Sequence, residues 1–321
     1  MPLQGVWTAD NGSLPPWKGD YHYDTNTELS YQAYLKANRI DEGEVFVEYL
    51  WRMKPEFEKF AKTFFGTDGI IVPACSTLDG KPMGGWPQYS LSPTMTVWAA
   101  QSFDEYYLYT GDIEFLRTRA YPFSRGVGKA ISGIMEEKDG WLFLPLSSSP
   151  EIFDDTRRSY LQPNSNFDLA LIRYLFGTLA GYAEILGESA EQYELILSKL
   201  VCVGFVGENG FHLNGDFRHY GYTQFHYRPF TLEGLFGFCD ALHEMLLQDH
   251  NGCIELFPAI PEEWRNRTVS FEKQRSRGGL TVSAKARNSE ITGLIITSPE
   301  PREIVVNGRA YCLKKGENVL I

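Results

Sequence analysis

The chain has 321 residues, 43% of them hydrophobic and 22% charged, which is enough apolar sequence to build a globular domain with a buried core. Its 41 acidic and 30 basic residues give a net charge of −11, and this argues against binding to nucleic acid or to an anionic membrane, because both partners need basic surfaces. Aromatic residues make up 14% of the chain; their rings can stack on sugars, although most aromatic rings fill cores.

Hydrophobic spacing predicts a mainly helical chain up to about residue 250. One of the clearest helical patterns repeats every four residues: Val45, Tyr49, Met53 and Phe57. Gly111 and Asp112 separate two further helices, since glycine commonly ends a helix and aspartate commonly begins one. The predicted helices cover residues 26–38, 41–65, 92–110, 113–137, 166–186, 189–200 and 230–249.

The character of the sequence changes after Asn251 and Gly252. Short segments with alternating apolar residues follow, and this pattern is typical of strands. We therefore predict a helical catalytic-type domain at 1–250 and a small all-β domain at 251–321. Consecutive helix pairs joined by long loops favour a helical toroid over a simple bundle. The predicted strands cover 269–273, 279–286, 291–297, 303–306 and 318–321.

Four loops concentrate polar and aromatic side chains, at residues 20–31, 79–90, 146–157 and 219–234. Loops on a rigid helical frame often carry function. In the third loop Glu151 follows three serines and a proline. Hydrolysis of a glycosidic bond needs a protonated carboxyl group beside the leaving oxygen, and an apolar environment would raise the pKa of Glu151 enough for that role.

These patterns taken singly also fit ordinary structure. Glu151 could be an exposed loop glutamate, and the acidic first loop could be a helix N-cap with solvated carboxylates. Glu233 lies at a predicted helix start, where a negative charge offsets the helix dipole.

The sequence predicts no metal and no cofactor. The six histidines form no HExxH pattern, and the serines form no GxSxG pattern, so neither a zinc protease nor a serine hydrolase is indicated. The five cysteines contain no CxxC pair and are expected to be buried free thiols.

Taken together, motifs in a fixed order along the chain resemble glycoside hydrolase family 95, the inverting α-L-fucosidases and related α-L-galactosidases. Each motif alone is weak, but their order over most of the chain is far more specific. The matching segments are LQGVW at residues 3–7, PPW at 15–17, DYH at 20–22, MGGW at 83–86, SSSPE at 147–151, EMLLQ at 244–248 and GCIELFPAIP at 252–261.

The resemblance implies catalytic roles for three residues. Glu151 falls on the general acid, Asn26 on the asparagine that contacts the attacking water, and Glu233 on the carboxylate that polarises this asparagine. Asp24 stands where many family members have a second asparagine and could itself act as the base. The resemblance places His22, Trp86 and Arg228 at the substrate.

The resemblance also implies an (α/α)6 toroid, incomplete here because the chain is shorter than the family. It predicts a chain shortened at its N-terminus and again near residue 200, with its beginning inside a longer protein. An incomplete toroid would expose apolar helix faces, so we expect poor solubility or a homodimer. Secretion or a periplasmic location is expected if the parent protein resembles its family.

Three functions remain open from the sequence. The first is an inverting glycosidase that removes α-L-fucosyl or α-L-galactosyl residues from an oligosaccharide substrate. The second is a catalytically impaired remnant that binds glycans or a protein partner. The third is another sugar enzyme with an (α/α)6 fold, such as a glucosidase or a polysaccharide-degrading relative.

Overall fold

The computed structural model describes residues 21–23, 26–84, 89, 91–147, 160, 164–200, 232–250 and 252–321, with the backbone alone over 232–238. The expected order of helices followed by strands is confirmed. The helices are α1 (Asn26–Leu29), α2 (Ala33–Lys36), α3 (Ile40–Gly43), α4 (Val45–Phe60), α5 (Thr96–Thr110), α6 (Ile113–Phe115), α7 (Tyr121–Ile134), α8 (Asn166–Leu186), α9 (Glu191–Ser198), α10 (Leu232–Leu246) and α11 (Glu262–Arg265).

Two helices are extended by π-helical turns, α4 through Ala61–Phe65 and α6 through Leu116–Ala120. The strands are β1 (Tyr21–His22), β2 (Cys75–Ser76), β3 (Glu136–Lys138), β4 (Trp141–Phe143), β5 (Leu247–Gln248), β6 (Glu255–Leu256), β7 (Thr268–Ser276), β8 (Leu280–Arg287), β9 (Glu290–Ser298), β10 (Arg302–Val306), β11 (Arg309–Leu313) and β12 (Gly316–Val319).

The predicted helix over 113–137 runs too far at its C-terminal end. Met135 is extended, with φ −66° and ψ 143°, so α7 ends at Ile134 and the chain enters the β3–β4 hairpin. Asp139 and Gly140 form the hairpin turn and both have positive φ, 53° and 81°. An Asp-Gly pair suits this turn because both central residues need positive φ.

By contact density, the chain divides into two compact units. The first comprises Met1–Glu28, Tyr49–Phe103 and Leu116–Glu233, and the second comprises Leu29–Glu48, Asp104–Phe115 and Gly234–Ile321. The predicted domain boundary at residue 250 stays a prediction.

The core of the first unit consists of aromatic and aliphatic side chains from its helices. Phe103 and Phe123 are fully buried, and their rings stack with centroids 4.4 Å apart. The longest helix, α8, begins at the N-cap Ser165, whose side chain accepts a hydrogen bond from the Asp168 N–H, and ends at Gly187 in the left-handed conformation. These caps satisfy backbone groups that a helix end leaves unpaired.

By length and composition, α8 is the one described helix that could span a membrane. Leu169, Ile172 and Leu179 of this helix are fully buried in the first unit. Because a core helix meets the same criterion, this is weak evidence for a membrane span.

A close backbone approach in the first unit predicts that Gly69 cannot be replaced. Gly69 has φ +113°, and a Cβ there would lie 2.3 Å from the Gly126 carbonyl oxygen and 2.7 Å from the Ala130 nitrogen. We expect Gly69→Ala to lower the free energy of unfolding by about 1–3 kcal/mol, the usual cost of overpacking. Gly177 in α8 is exposed and has open space around it, so Gly177→Ala should instead stabilise the chain by about 0.5–1 kcal/mol.

Urea denaturation of the two variants checks this pair of predictions. Equal changes of stability at the two glycines would contradict the packing of Gly69 against α7.

The second unit contains an antiparallel four-stranded sheet in the order β12-β9-β8-β7 and the β10–β11 hairpin. Buried and more exposed residues alternate along the strands. In β8 the buried residues are Leu280, Val282, Ala284 and Ala286. The predicted strands are confirmed within a few residues, but β11 was missed. Asn307 and Gly308, with φ 45° and 77°, form the turn that leads into it.

In the second unit, Lys36 connects α2 to α10. Its ammonium group lies 2.9 Å from Asp240 and 2.5 Å from Glu244, and the Lys36 side chain is only 14% exposed. Burial lowers the pKa of Lys36, but the hydrogen bonds and charges of Asp240 and Glu244 outweigh burial and raise it. Gln274 donates to the His243 carbonyl oxygen at 3.2 Å, so β7 also holds this helix.

This cluster predicts that stability falls on mild acidification. Burial lowers the pKa of His243 below its ordinary value; Asp240 and Glu244 oppose this effect and Lys36 adds to it. The unfolded chain therefore takes up a proton at about pH 6.5, before the folded chain does. The contribution of neutral His243 is complete above that pH and is lost as the pH falls through the lower pKa of the folded state.

Chemical denaturation between pH 7.5 and pH 5 would measure this loss. We expect His243→Gln to weaken the dependence of the free energy of unfolding on pH. The control is the same change at the exposed His250, which should leave that dependence as it is in the parent chain. An unchanged slope in His243→Gln would contradict the prediction.

The four described cysteines form no disulfide. The expectation of burial holds for Cys75, but it is wrong for Cys239 and Cys312, whose positions on α10 and β11 face outward. Cys202 lies outside the described residues.

Candidate active site

A short two-stranded sheet lies just before Asn26, the residue predicted to contact the attacking water. In β1 and β2, Tyr21 pairs with Ser76 and His22 pairs with Cys75. The next residue, Tyr23, donates its N–H to the Ala74 carbonyl oxygen at 2.8 Å. His22 is buried, with 6% of its surface exposed.

Three tyrosines pack beside this sheet. The Tyr21 ring stacks on the rings of Tyr23 and Tyr49, with centroids 6.0 and 5.2 Å apart. The Tyr23 hydroxyl donates to the Tyr49 hydroxyl at 3.0 Å, and that hydroxyl donates to the Thr77 carbonyl oxygen at 3.5 Å. Burial, followed by the interaction with Tyr49, raises the pKa of Tyr23 well above its ordinary value, so it remains a neutral donor. Tyr21 and Tyr23 are both buried, so their rings belong to the core of the first unit.

Asn26 lies three residues after Tyr23 in the chain and is the first residue of α1, with a partly exposed side chain. Thr27 and Glu28, in the same turn, are buried, with 1% and 6% of their surfaces exposed. The interpretation of this segment as an N-cap with solvated acids is therefore wrong for Glu28. A buried carboxylate two residues from Asn26 is a feature that sequence patterns did not single out.

Ser147 lies at the beginning of the loop that contains Glu151, and the start of α8 holds it. Ser147 precedes Glu151 by four residues and is buried, and its hydroxyl donates to Asp168 Oδ2 at 2.5 Å. The Ser165 N–H donates to Ser147 Oγ at 2.7 Å. Three residues before Ser147, the Leu144 N–H donates to Asn164 Oδ1 at 2.8 Å.

Asp168 is the centre of this network and is 1% exposed. It accepts hydrogen bonds from the hydroxyls of Ser147, Ser165 and Thr94. The sequence signal for it was the spacing of Ser165 and Asp168, a serine followed three residues later by an acid, which is typical of a helix start. That pattern predicts a helix cap and gives no indication of the hydrogen bond between Asp168 and Ser147.

Of the predicted site residues, the structure describes His22 in β1 and Asn26 at the start of α1, both in the first unit. Glu233 is the second residue of α10, where the backbone alone is described. Asp24, Trp86, Glu151 and Arg228 lie outside the described residues. No group of three or more His, Cys, Asp or Glu side chains that could hold a metal ion occurs among the described residues.

Residues 1–203 match the family described as "Glycosyl hydrolase family 95 catalytic domain". Two curated relatives are fucosidases by name. Alpha-L-fucosidase 2 of Arabidopsis thaliana is 28% identical over 193 residues, 58% of this chain and 23% of the relative. Probable alpha-fucosidase A of Aspergillus niger is 26% identical over 160 residues, 46% of this chain and 19% of the relative. The chain thus spans about a quarter or less of the curated relatives it matches.

A solved structure with a similar fold is a putative kojibiose phosphorylase from human microbiome. Its TM-score is 0.63 at 11% sequence identity, and the match covers 100% of this chain and 62% of the phosphorylase. At this identity the likeness concerns the fold alone. Because the family model matches well over half of the chain, including β1, α1 and the start of α8, this chain belongs to glycosyl hydrolase family 95.

Proposed function

We propose that this chain is the catalytic part of an inverting glycosidase that releases terminal α-L-fucosyl residues, or α-L-galactosyl residues, from an oligosaccharide. The observation that carries the proposal is the family match over residues 1–203, which contains both Asn26 and Glu151. The names of the two curated relatives favour fucose over other sugars.

In the proposed mechanism Glu151 is the general acid. Its carboxyl group donates a proton to the glycosidic oxygen while the bond from that oxygen to the anomeric carbon breaks, so the departing sugar leaves as a neutral alcohol. Two carboxyl groups in inverting enzymes are about 6.5–9.5 Å apart, because a water molecule must fit between the second group and the sugar.

Asn26 and Glu233 are proposed to activate that water. An amide is a very weak base, so Asn26 orients the water and a carboxylate must take its proton. Glu233 is the proposed acceptor, with Asp24 as the alternative. The water attacks the anomeric carbon from the face opposite the leaving oxygen, and the configuration inverts.

We propose that His22, Trp86 and Arg228 contact the sugar. A helical frame of the (α/α)6 type would hold these loops together, and the fold likeness to the phosphorylase over the whole chain supports such a frame. In this proposal the chain contributes part of the toroid, as its 62% coverage of the phosphorylase suggests.

Hydrolysis of a panel of nitrophenyl glycosides tests the proposed function. We expect turnover of the α-L-fucoside, weaker turnover of the α-L-galactoside, and no turnover of the α-D-glucoside. Turnover of the glucoside alone would contradict the proposal in favour of another sugar enzyme. Binding of fucosylated glycans without any turnover would contradict it in favour of a binding remnant.

A further inference from the structure

The β3–β4 hairpin carries aromatic side chains on one of its faces. The register pairs Lys138 with Trp141, the two residues that flank the Asp139-Gly140 turn. Because side chains alternate between the two faces of a strand, Phe143 lies on the same face as Trp141, with Lys138 beside Trp141. Trp141 is 48% exposed, and Phe143 is partly exposed. We call this surface, formed by Lys138, Trp141 and Phe143, the Trp141 face.

The backbone of this hairpin is held on both edges of β4. Strand β3 pairs along one edge, and along the other the Leu142 N–H donates to the Lys199 carbonyl oxygen at 3.0 Å. On the face opposite Trp141, the Lys199 ammonium group lies 2.8 Å from Glu137 Oε2. Because the strand that carries Trp141 is fixed, a ligand that contacts its ring does not have to order the backbone first.

The Trp141 face has unused hydrogen-bond donors beside its rings. Among the residues that the structure describes, neither the Trp141 indole N–H nor the Lys138 ammonium group has a hydrogen-bond or ion-pair partner, and no other ring stacks on Trp141. Both groups can donate and neither can accept. An aromatic face with donors at its edge matches the chemistry of a sugar, whose C–H groups pack on a ring and whose hydroxyl oxygens accept hydrogen bonds.

The charge of the hairpin argues for a neutral ligand. Residues 136–139 read EEKD, and the net charge of the whole chain is −11. A phosphate group or an acidic peptide would therefore meet repulsion at this surface. An apolar protein surface would bury the Lys138 ammonium group without a partner, and that costs free energy. A neutral ligand with many hydroxyl groups avoids both penalties.

We propose that the Trp141 face binds a neutral oligosaccharide. Sugar rings pack on Trp141 and Phe143, and sugar hydroxyl groups accept hydrogen bonds from the Trp141 indole N–H and from Lys138. The proposal adds a glycan-binding surface to the chain and rests on the proposed function only for the choice of a fucosylated sugar as the ligand.

NMR of the chain with nitrogen-15 in its tryptophans tests this contact directly, since each of the seven indole N–H groups gives its own signal. The ligand is 2′-fucosyllactose, a neutral trisaccharide, added to the Glu151→Gln variant so that the sugar stays intact. We expect the Trp141 signal, identified by its loss in Trp141→Ala, to shift as the ligand concentration rises. Trp264, which is 38% exposed on α11, is the matched control, and its signal should stay in place.

The affinity for the same sugar gives a second readout. We expect Trp141→Ala to raise Kd by roughly tenfold or more, as truncation of a central aromatic side chain commonly does. Trp141→Tyr should keep most of the affinity, and Trp264→Ala should keep all of it. A Trp141 signal that does not move, or an unchanged Kd in Trp141→Ala, would overturn the proposal. A dimer that Trp141→Ala dissociates, seen by light scattering, would overturn it in favour of contact between two copies of the chain.

The failure of this proposal and the failure of the proposed function have different signatures. If the parent chain hydrolysed the aryl fucoside while the Trp141 signal stayed fixed, the glycan-binding surface alone would be refuted. If the Trp141 signal shifted but no fucoside were hydrolysed, the glycan-binding surface would stand and the proposed function would fail.

Discussion

Replacing Glu151 with glutamine is expected to abolish hydrolysis of fucosylated oligosaccharides while the chain still folds. The amide has nearly the shape of the carboxyl group but has no acidic proton to give. General acid catalysis typically contributes about 10²- to 10⁴-fold, so kcat on the oligosaccharide should fall by that factor. On 2-chloro-4-nitrophenyl α-L-fucoside the fall should be much smaller, because that leaving group departs as a stable anion.

The control for this variant is Glu136→Gln, an exposed glutamate in β3. It removes the same charge from the same unit and should leave both rates unchanged. Thermal unfolding of both variants shows whether the fold survives. Full activity of Glu151→Gln on the oligosaccharide would remove Glu151 from the mechanism.

The second large effect is expected at the residues that activate water. Asn26→Ala and Glu233→Gln should each lower kcat by about 10²-fold or more on both classes of substrate. The attack of water is required whatever group departs, so the loss should not depend on the leaving group. This pattern is the opposite of the one expected for Glu151.

Asp24→Asn tests the alternative base. If Glu233 accepts the proton, Asp24→Asn should retain most of the activity and Glu233→Gln should lose it. The reverse result would transfer the role of base to Asp24. Retention of activity in all three variants would contradict the assignment of the water-activating group.

Hydrophobic periodicity found most of the helices and strands, because burial of one face sets their spacing. It failed where the backbone conformation of a turn, rather than the burial of one face, determines the structure. Two turns, Asp139-Gly140 and Asn307-Gly308, each have two consecutive residues with positive φ. The first forms the β3–β4 hairpin and the second leads into strand β11, and the sequence patterns predicted neither the hairpin nor the strand. Both pairs are turn signals that could have been used.

The sequence predicts the site as a set of residue types and not as a set of contacts. Its ordered motifs assign roles to Asn26, Glu151 and Glu233 by resemblance, and these roles stay predictions. Asp168 was overlooked because two of its partners, Thr94 and Ser147, lie far from it in the sequence, while its local partner Ser165 indicates only a helix cap. Likewise the burial of Glu28 depends on what packs over α1 and leaves no periodic trace in the sequence.

The proposed hydrolysis of an α-L-fucoside with inversion is tested most directly by proton NMR of the sugar released in the first minutes. The mechanism predicts β-L-fucose as the first product of 2-chloro-4-nitrophenyl α-L-fucoside, followed by slow mutarotation to the α anomer. If α-L-fucose were instead the first anomer to appear, the assignment of Glu151, Asn26 and Glu233 to a single displacement by water would be contradicted.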